Sequence, residues 1–260
     1  ILDEFESLLN HLVADTLKDN LGIVWDMLRW MITSAQKVVV ADAFLGQKGL
    51  TYLRDIGVTD VKVVATPHAS NGRTLKVVKA NKVTNEEGKP VRINNQLRCQ
   101  QVAAHIGKML ASGKNVIVSY PYRCATKKRI GIDGFRDLIL KCCDGAVSES
   151  ETILHHGEQD DHFTKRVLSD VNRYWEESRL VIMTSTITVG VSFTQNHFHC
   201  MYVVAHPMTN PRDIAQQTYR ARKLIDNDVY IMGLTAPLSC NIRDNYALLN
   251  PDDEAWTNLM

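Results

Sequence analysis

The sequence lacks most of the features that would place it in a class at once. No apolar run reaches the roughly 18–20 residues of a membrane span, and no secretory leader opens the chain, so no membrane partner is expected. Six cysteines stand at 99, 124, 142, 143, 200 and 240. None makes a C-x-x-C pair, and adjacent Cys142 and Cys143 are poor joint zinc ligands. Free thiols of a reducing, intracellular compartment are the expectation. The nine histidines contain no H-E-x-x-H pattern, and His155 and His156 have no partner cluster, so no structural metal is expected. A net charge of +1 excludes a global basic field, and any nucleic-acid surface must be local. Repeats and low-complexity stretches are absent. So is the phosphate loop G-x-x-x-x-G-K-S/T: Ser112-Gly113-Lys114 precedes a strand instead of following one.

What is present is an alternation of short apolar strands with amphipathic helices, the pattern of an α/β fold with a mostly parallel sheet. After Ile1-Leu2 the apolar spacing predicts helix from about Phe5 to Met31, broken at Asn20-Leu21-Gly22. Strands are expected at 38–41 and 61–64, with a helix at 47–56 between them. A turn-rich connector follows, with extended spacing at 73–80. A second α/β run then places helices at 95–111, 134–143, 161–175 and 211–223. Its strands fall at 116–119, 153–154, 180–183, 201–204 and 229–232. The division expected is 1–66, a connector and entry segment 67–94, and 95–260.

Five constellations can carry chemistry. One of them, Leu154-His155-His156-Gly157-Glu158-Gln159-Asp160, is compatible with a strand-contacting loop and explained equally well by an ordinary capped helix. Asp3-Glu4 at the carboxyl end of a buried strand suits metal–phosphate work: one carboxylate for Mg²⁺, the next to orient or deprotonate water. A helix N-cap followed by a first-turn acid explains the pair equally well. Asp42-Ala43, past the strand at 38–41, lies on the face where α/β ligands bind, or caps the following helix. The turn from Thr184 and Ser185 through Thr188 to Gly190 and Phe193 offers hydroxyls and backbone N–H groups to the phosphates of a strand, with Gly190 allowing close approach. Finally, Gln216-Gln217 leads into Arg220 and Arg222, two cations at i and i+2 that point to different targets. A solvated basic helix end is the plain alternative.

Taken in order, these strings resemble the motor motifs of superfamily-two helicases. Leu2-Asp3-Glu4-Phe5 resembles motif II, Val40-Ala41-Asp42-Ala43 sits where motif III follows, and 115–120 resembles motif IV. Thr184 to Phe193 resembles motif V, and Gln216 to Arg222 motif VI. More narrowly, Leu-Asp-Glu, Thr-Val-Gly-x-Ser-Phe at 188–193, His197-Phe198-His199 and Gln216-x-x-x-Arg220-x-Arg222 resemble the herpesvirus-type replication origin-binding helicases. The resemblance implies tandem RecA-like domains, three-layered with mostly parallel sheets, the first truncated, so that a preceding RecA-like segment with the phosphate loop belongs to the same parent chain. It implies an ATP- and Mg²⁺-dependent helicase acting at a viral replication site inside the cell, on DNA in preference to RNA. By itself the present chain is expected to be inactive.

Residue by residue, the resemblance makes Asp3 the Mg²⁺ ligand and Glu4 the activator of water. Asp42 and Ala43 couple the ATP site to the second domain. Ser119, Tyr120, Thr184, Ser185 and Thr188 lie near the nucleic acid, and Gly190 and Gln216 near the nucleotide. Arg220, Arg222 and Lys223 are the arginine-finger candidates, with the acids of the amino terminus expected to face them across a cleft. Three departures bear on this assignment. Tyr219 stands where many members have Gly, Ser192 where many have Asp, and Lys223 where the second arginine usually falls. Two rivals are an RNA-virus RNA helicase built from the same parts and a degenerate, non-catalytic RecA-like scaffold.

Overall fold

Several strands of this protein carry apolar residues at consecutive positions because both faces of their sheet are covered. The computed structural model describes residues 1–12, 20–42, 45–64, 72–78, 83–84, 87–88, 90–91, 94–127, 129–156, 162–184, 191–206 and 211–233. The chain forms two compact units, Ile1–Ala69 and Ser70–Met260. Among the described residues no helix is long and apolar enough to cross a membrane.

The first unit contains β1 (Leu2–Asp3), α1 (Phe5–Leu12), α2 (Leu21–Ser34), β2 (Val40–Ala41) and α3 (Gln47–Asp55). β1 and β2 run parallel, with Leu2 opposite Val40 and Asp3 opposite Ala41. A parallel pair needs a crossover of a dozen or more residues, and the helical stretch between the strands supplies it. Phe5, Leu9 and Leu12 of α1 and Leu28 and Ile32 of α2 recur at helical spacing and pack with Tyr52, Leu53 and Ile56 into one core. The strand expected at 61–64 does not form. Val61, Val63 and Val64 are exposed there, and the segment joins no ladder among the described residues. Apolar composition alone cannot make a strand without an edge to pair with.

The second unit opens with β3 (Thr74–Val78), then the short hairpin β4 (Val83–Thr84) and β5 (Pro90–Val91). It continues through α4 (Asn95–Ala111), β6 (Val116–Ser119), α5 (Ile132–Cys142), β7 (Thr152–His155), α6 (His162–Ser169), α7 (Val171–Glu176), β8 (Leu180–Met183), β9 (Cys200–Ala205), α8 (Pro211–Thr218) and β10 (Asp228–Gly233). Six strands make one sheet in the order β3-β10-β9-β6-β8-β7, parallel at every pairing. Successive side chains point to opposite faces. Val116, Val118, Leu180, Ile182 and Tyr202 join α4 and α5 in one core. Ile117, Val181, Met183, Met201 and Val203 join Trp175 of α7 and Ile214 of α8 in the other. The result is the three-layer, parallel α/β arrangement that the alternating pattern predicts. Helices α4 and α5 approach closely because residue 107 is glycine: a Cβ there would come within 2.7 Å of the Cys142 backbone. Of the cysteines described, Cys99, Cys143 and Cys200 are buried free thiols, and Cys124 and Cys142 are exposed ones.

Two helices differ from their expected extents. The one expected at 161–175 is two, because Asp170 leaves helical geometry and caps α7, its carboxylate accepting from the Arg173 N–H at 3.2 Å. The one expected to reach 223 stops at Thr218. There the Thr218 hydroxyl donates to the Ala215 carbonyl at 2.7 Å, a side-chain bond that competes with the helix. The Tyr219 and Arg220 N–H groups turn back to the Gln216 and Gln217 carbonyls, as in a 3₁₀ ending.

One buried base makes stability depend on pH. The His155 ring, 1% exposed, accepts from the indole N–H of Trp175 at 2.9 Å through Nε2. Its proton therefore sits on Nδ1, which is buried without a partner. Burial, with His156 adding repulsion, pushes the imidazole from 6.5 down to about 4. The unfolded chain thus takes up a proton that the folded one refuses, and stability falls as pH drops from 6.5 towards about 4. At about 1.4 kcal/mol per pH unit the loss is about 3 kcal/mol. His155→Gln keeps an acceptor for Trp175 and is expected to remove this part of the slope in urea titrations at pH 7 and 4.5. Equal slopes in the two proteins would show that His155 does not titrate in this way.

Candidate functional site

In the first unit the parallel pairing brings Asp3 and Asp42 to the same carboxyl end of the β1–β2 pair. Asp3 is exposed, and its Oδ1 accepts from the Glu4 N–H at 3.0 Å. Glu4 has φ 52°, in the left-handed region that a non-glycine residue enters at a cost of about 1–3 kcal/mol. The chain thus turns sharply as it leaves the strand, and the acid is set at the turn instead of continuing the ladder.

Asp42 is an N-cap, but of α1 and not of the helix that follows it: its Oδ2 accepts from the Glu6 N–H at 2.8 Å. Glu6, only 6% exposed, performs the reciprocal task. Its Oε1 accepts from the N–H groups of Gly46 at 3.0 Å and Gly49 at 2.7 Å, tying down the amino end of α3. Gly49 makes room for this, since a Cβ there would lie 2.8 Å from that same oxygen. Asp-Glu-x-Glu at the end of β1 and the turn after β2 are thereby one hydrogen-bonded body. Glu6→Ala would leave two helix-end donors without an acceptor and is expected to cost about 1–3 kcal/mol. Glu6→Gln, which keeps an acceptor oxygen, should lose clearly less. Urea midpoints test this, and equal midpoints for Glu6→Ala and the starting protein would contradict it. Glu6 was not among the residues singled out by sequence, because its partners lie forty positions downstream. Ala43 lies outside the described residues.

In the second unit the carboxyl ends of β6, β8 and β9 converge. Ser119 ends β6, and its hydroxyl donates to Oε1 of Gln217 at 2.5 Å. Both are buried, so motif IV is fastened to the motif VI helix from inside. Gln217, not Gln216, makes this contact; the tandem glutamines were visible in the sequence, but their facing was not. Thr184, also buried, continues β8, its N–H donating to the His155 carbonyl at 2.9 Å. Tyr120 requires correction. It is fully buried, stacked on Phe135 at 4.1 Å, and its hydroxyl donates to the Ile130 carbonyl at 2.8 Å. Burial pushes that hydroxyl's pKa far up. It is a core residue with a satisfied polar end and offers no surface to nucleic acid. Ser185, Thr188 and Gly190 lie outside the described residues.

The two arginines lie beyond α8, not on it. Phe193 and Ala221 form a parallel bridge, in which the Phe193 N–H donates to the Arg220 carbonyl and the Arg222 N–H to the Phe193 carbonyl, each at 2.8 Å. Motifs V and VI thus run side by side. Arg220 is half-buried and its Nη1 donates to the Val191 carbonyl at 3.1 Å. Arg222 is exposed, with Nε donating to the Ser192 hydroxyl at 2.7 Å. Lys223 is exposed as well. Ser192 therefore engages Arg222 through its hydroxyl.

On the other side of this segment stands Arg73, at the start of β3. Its guanidinium lies 4.5 Å above the centre of the Tyr219 ring, and Nη2 donates to the Ala221 carbonyl. Burial pulls its pKa down. No sequence signal marked this residue.

The chain is similar to known proteins in sequence and in fold. The family model described as "Origin of replication binding protein" matches residues 162–244. The replication origin-binding protein of varicella-zoster virus (strain Dumas) is 24% identical over 244 residues, covering 88% of this chain and 27% of the viral protein. The chain thus spans about a quarter of the length of that relative. Among solved structures, Saccharomyces cerevisiae Dbp5 bound to RNA and ADP–BeF3 superposes with a TM-score of 0.55 at 14% identity, over 96% of this chain and 56% of that one. The DUF1998 helicase MrfA bound to DNA and AMPPNP gives 0.55 at 14% identity, over 90% and 30%. These likenesses carry the fold, which is RecA-like α/β. The sequence likeness is to replication origin-binding proteins of herpesviruses, the family its motifs resemble.

Proposed function

From that kinship we propose that the chain is part of an ATP-driven helicase motor of a viral replication origin-binding protein, working on DNA inside the infected cell. The observation that supports this most is the bridge between motifs V and VI. It holds Arg220 against the Val191 carbonyl and leaves Arg222 exposed beside the hydroxyl of Ser192. A guanidinium presented in this way suits a transferring phosphoryl group, whose charge a planar cation can clamp.

Asp3 and Glu4 supply the acids. The exposed Asp3 carboxylate has the hard oxygen donors that suit Mg²⁺. When bound there, the ion offsets phosphate charge. Glu4 orients the attacking water and accepts its proton, held at its turn by the left-handed backbone. The acids and the arginines both serve ATP hydrolysis in this reading. Cycles of ATP binding and hydrolysis would then move the motor along a strand. Ser119 and Thr184 brace the carboxyl ends of β6 and β8; the resemblance assigns Ser185 and Thr188 to backbone phosphates, Gly190 and Gln216 to the nucleotide, and Asp42 with Ala43 to coupling of the two sites. Contacts of that kind bind with little sequence preference. The phosphate loop would come from the RecA-like segment preceding Ile1 in the parent chain, and the present 260 residues alone would not hydrolyse ATP.

Unwinding of matched DNA and RNA duplexes by the intact protein tests this. ATP-dependent opening of the DNA duplex is expected. Opening of RNA alone would support the RNA-helicase alternative, and nucleic-acid binding without hydrolysis would support the scaffold.

A further inference from the structure

We infer that Arg73 is a positioning residue for the motif VI arginines, a clamp that fixes the 220–222 segment from the side opposite Phe193; the inference rests on the motor reading for its functional consequence. Three observations carry it. The 220–222 segment has left α8, and among the described residues its backbone bonds run to Phe193 on one side and, from the Arg220 N–H, back to the Gln217 carbonyl. Arg73 approaches the other side with two contacts, its guanidinium over Tyr219 and its Nη2 on the Ala221 carbonyl. Ala221 is the residue between the two candidate fingers, so fixing its carbonyl fixes the backbone from which both side chains spring.

The chemistry of the pair points the same way. Arg73 is half-buried and makes no carboxylate ion pair among the described residues. Its Nη1 is buried without a hydrogen-bond partner, so the guanidinium bears a desolvation cost that the ring and one carbonyl offset only in part. A lysine would carry the charge, but it lacks the planar fork that stacks on a ring and donates to a carbonyl at once. The ring exists only because residue 219 is tyrosine where many superfamily-two members have glycine. Arg73 itself is anchored by register: it directly precedes Thr74, whose N–H donates to the Asn227 carbonyl at 2.9 Å and which pairs with Asp228 at the start of the β3–β10 ladder. The clamp thus joins the strand that enters the unit to the loop that carries the arginines.

The test uses the intact protein with Arg73→Ala, Arg73→Lys and Tyr219→Phe, and two readouts. The first is amide hydrogen exchange. In Arg73→Ala, exchange at the Arg222 N–H is expected to quicken by about tenfold or more, with the β6 and β8 amides unchanged. Tyr219→Phe, which keeps a π face, should stay near the starting protein, and Arg73→Lys should fall between. The second is ATP turnover. Arg73→Ala should lower kcat by about tenfold with KM within about twofold, and Arg73→Ala combined with Arg222→Ala should be no slower than Arg222→Ala alone. A general structural defect would instead quicken exchange in the protected strands as well and multiply the two losses.

Should Arg73→Ala fail to fold, Arg73→Lys and Tyr219→Leu carry the same comparison. Unchanged exchange at Arg222, or additive losses in kcat, would overturn the clamp. Quickened exchange in a protein that never hydrolyses ATP would keep the clamp and remove the motor.

Discussion

ATP hydrolysis by the intact protein is expected to fall by about 10²–10⁴-fold in Glu4→Gln, the range a general base contributes, while ATP affinity stays within about twofold. The amide matches the carboxylate in shape and still orients water, but it cannot take a proton. Because Glu4 sits at φ 52° and not in the ladder, the substitution leaves β1, its pairing with β2 and the Asp42–Glu6 contact in place. Loss of turnover would then report chemistry and not folding. Phosphate release and equilibrium binding of a fluorescent ATP analogue check the two halves separately. Unchanged turnover would remove Glu4 from the reaction.

Arg222→Ala is expected to slow hydrolysis by about 10³-fold or more, the effect of deleting an arginine finger. The choice among the three cations comes from their surroundings. Arg220 is half-buried and spends a donor on the Val191 carbonyl, which suits a tie between motifs V and VI. Arg222 is exposed and held through Nε by one hydroxyl, so its terminal nitrogens can reach outward. Lys223 lacks the planar fork that engages two phosphate oxygens together. Arg222→Lys should therefore recover only part of the rate. Near-normal turnover in Arg222→Ala, with a large loss in Arg220→Ala or Lys223→Ala, would transfer the role.

The fold was legible wherever burial writes a pattern into consecutive residues. Strands at 116–119, 180–183 and 201–204 are buried throughout because helices cover both faces, and no other arrangement satisfies four buried residues in a row so simply. The segment at 61–64, three valines with Lys62 among them, joins no ladder among the described residues, because pairing depends on an edge elsewhere in the chain. The end of α8 was hidden for a related reason. Gln217, Thr218 and Tyr219 contain no glycine or proline to stop a helix, and the stop comes from a hydroxyl bonding backwards and from Phe193 drawing Ala221 into a bridge.

The site divides along the same line. Motif strings are local, so Asp3, Glu4, Asp42, Arg220 and Arg222 stood out from sequence. Their supports are not local. Glu6 reaches Gly49, Ser119 reaches Gln217, and Arg73 reaches Ala221, 148 positions away. Tyr120 misled because the resemblance of 115–120 to motif IV says nothing of which way a side chain faces, and its ring fills the space beside Phe135. Only packing decides whether such a ring faces in or out.

The central claim, proposed above, is that Asp3 and Glu4 as well as the arginines at 220 and 222 take part in ATP hydrolysis. An ATP analogue with a photoreactive group on its γ-phosphate, bound to the intact protein with single-stranded DNA and mapped by peptide, addresses it directly. Labelling of both the peptide containing Asp3 and Glu4 and the peptide containing Arg220 to Lys223, competed away by ATP, is the expected result. Competed labelling confined to other surfaces would contradict it.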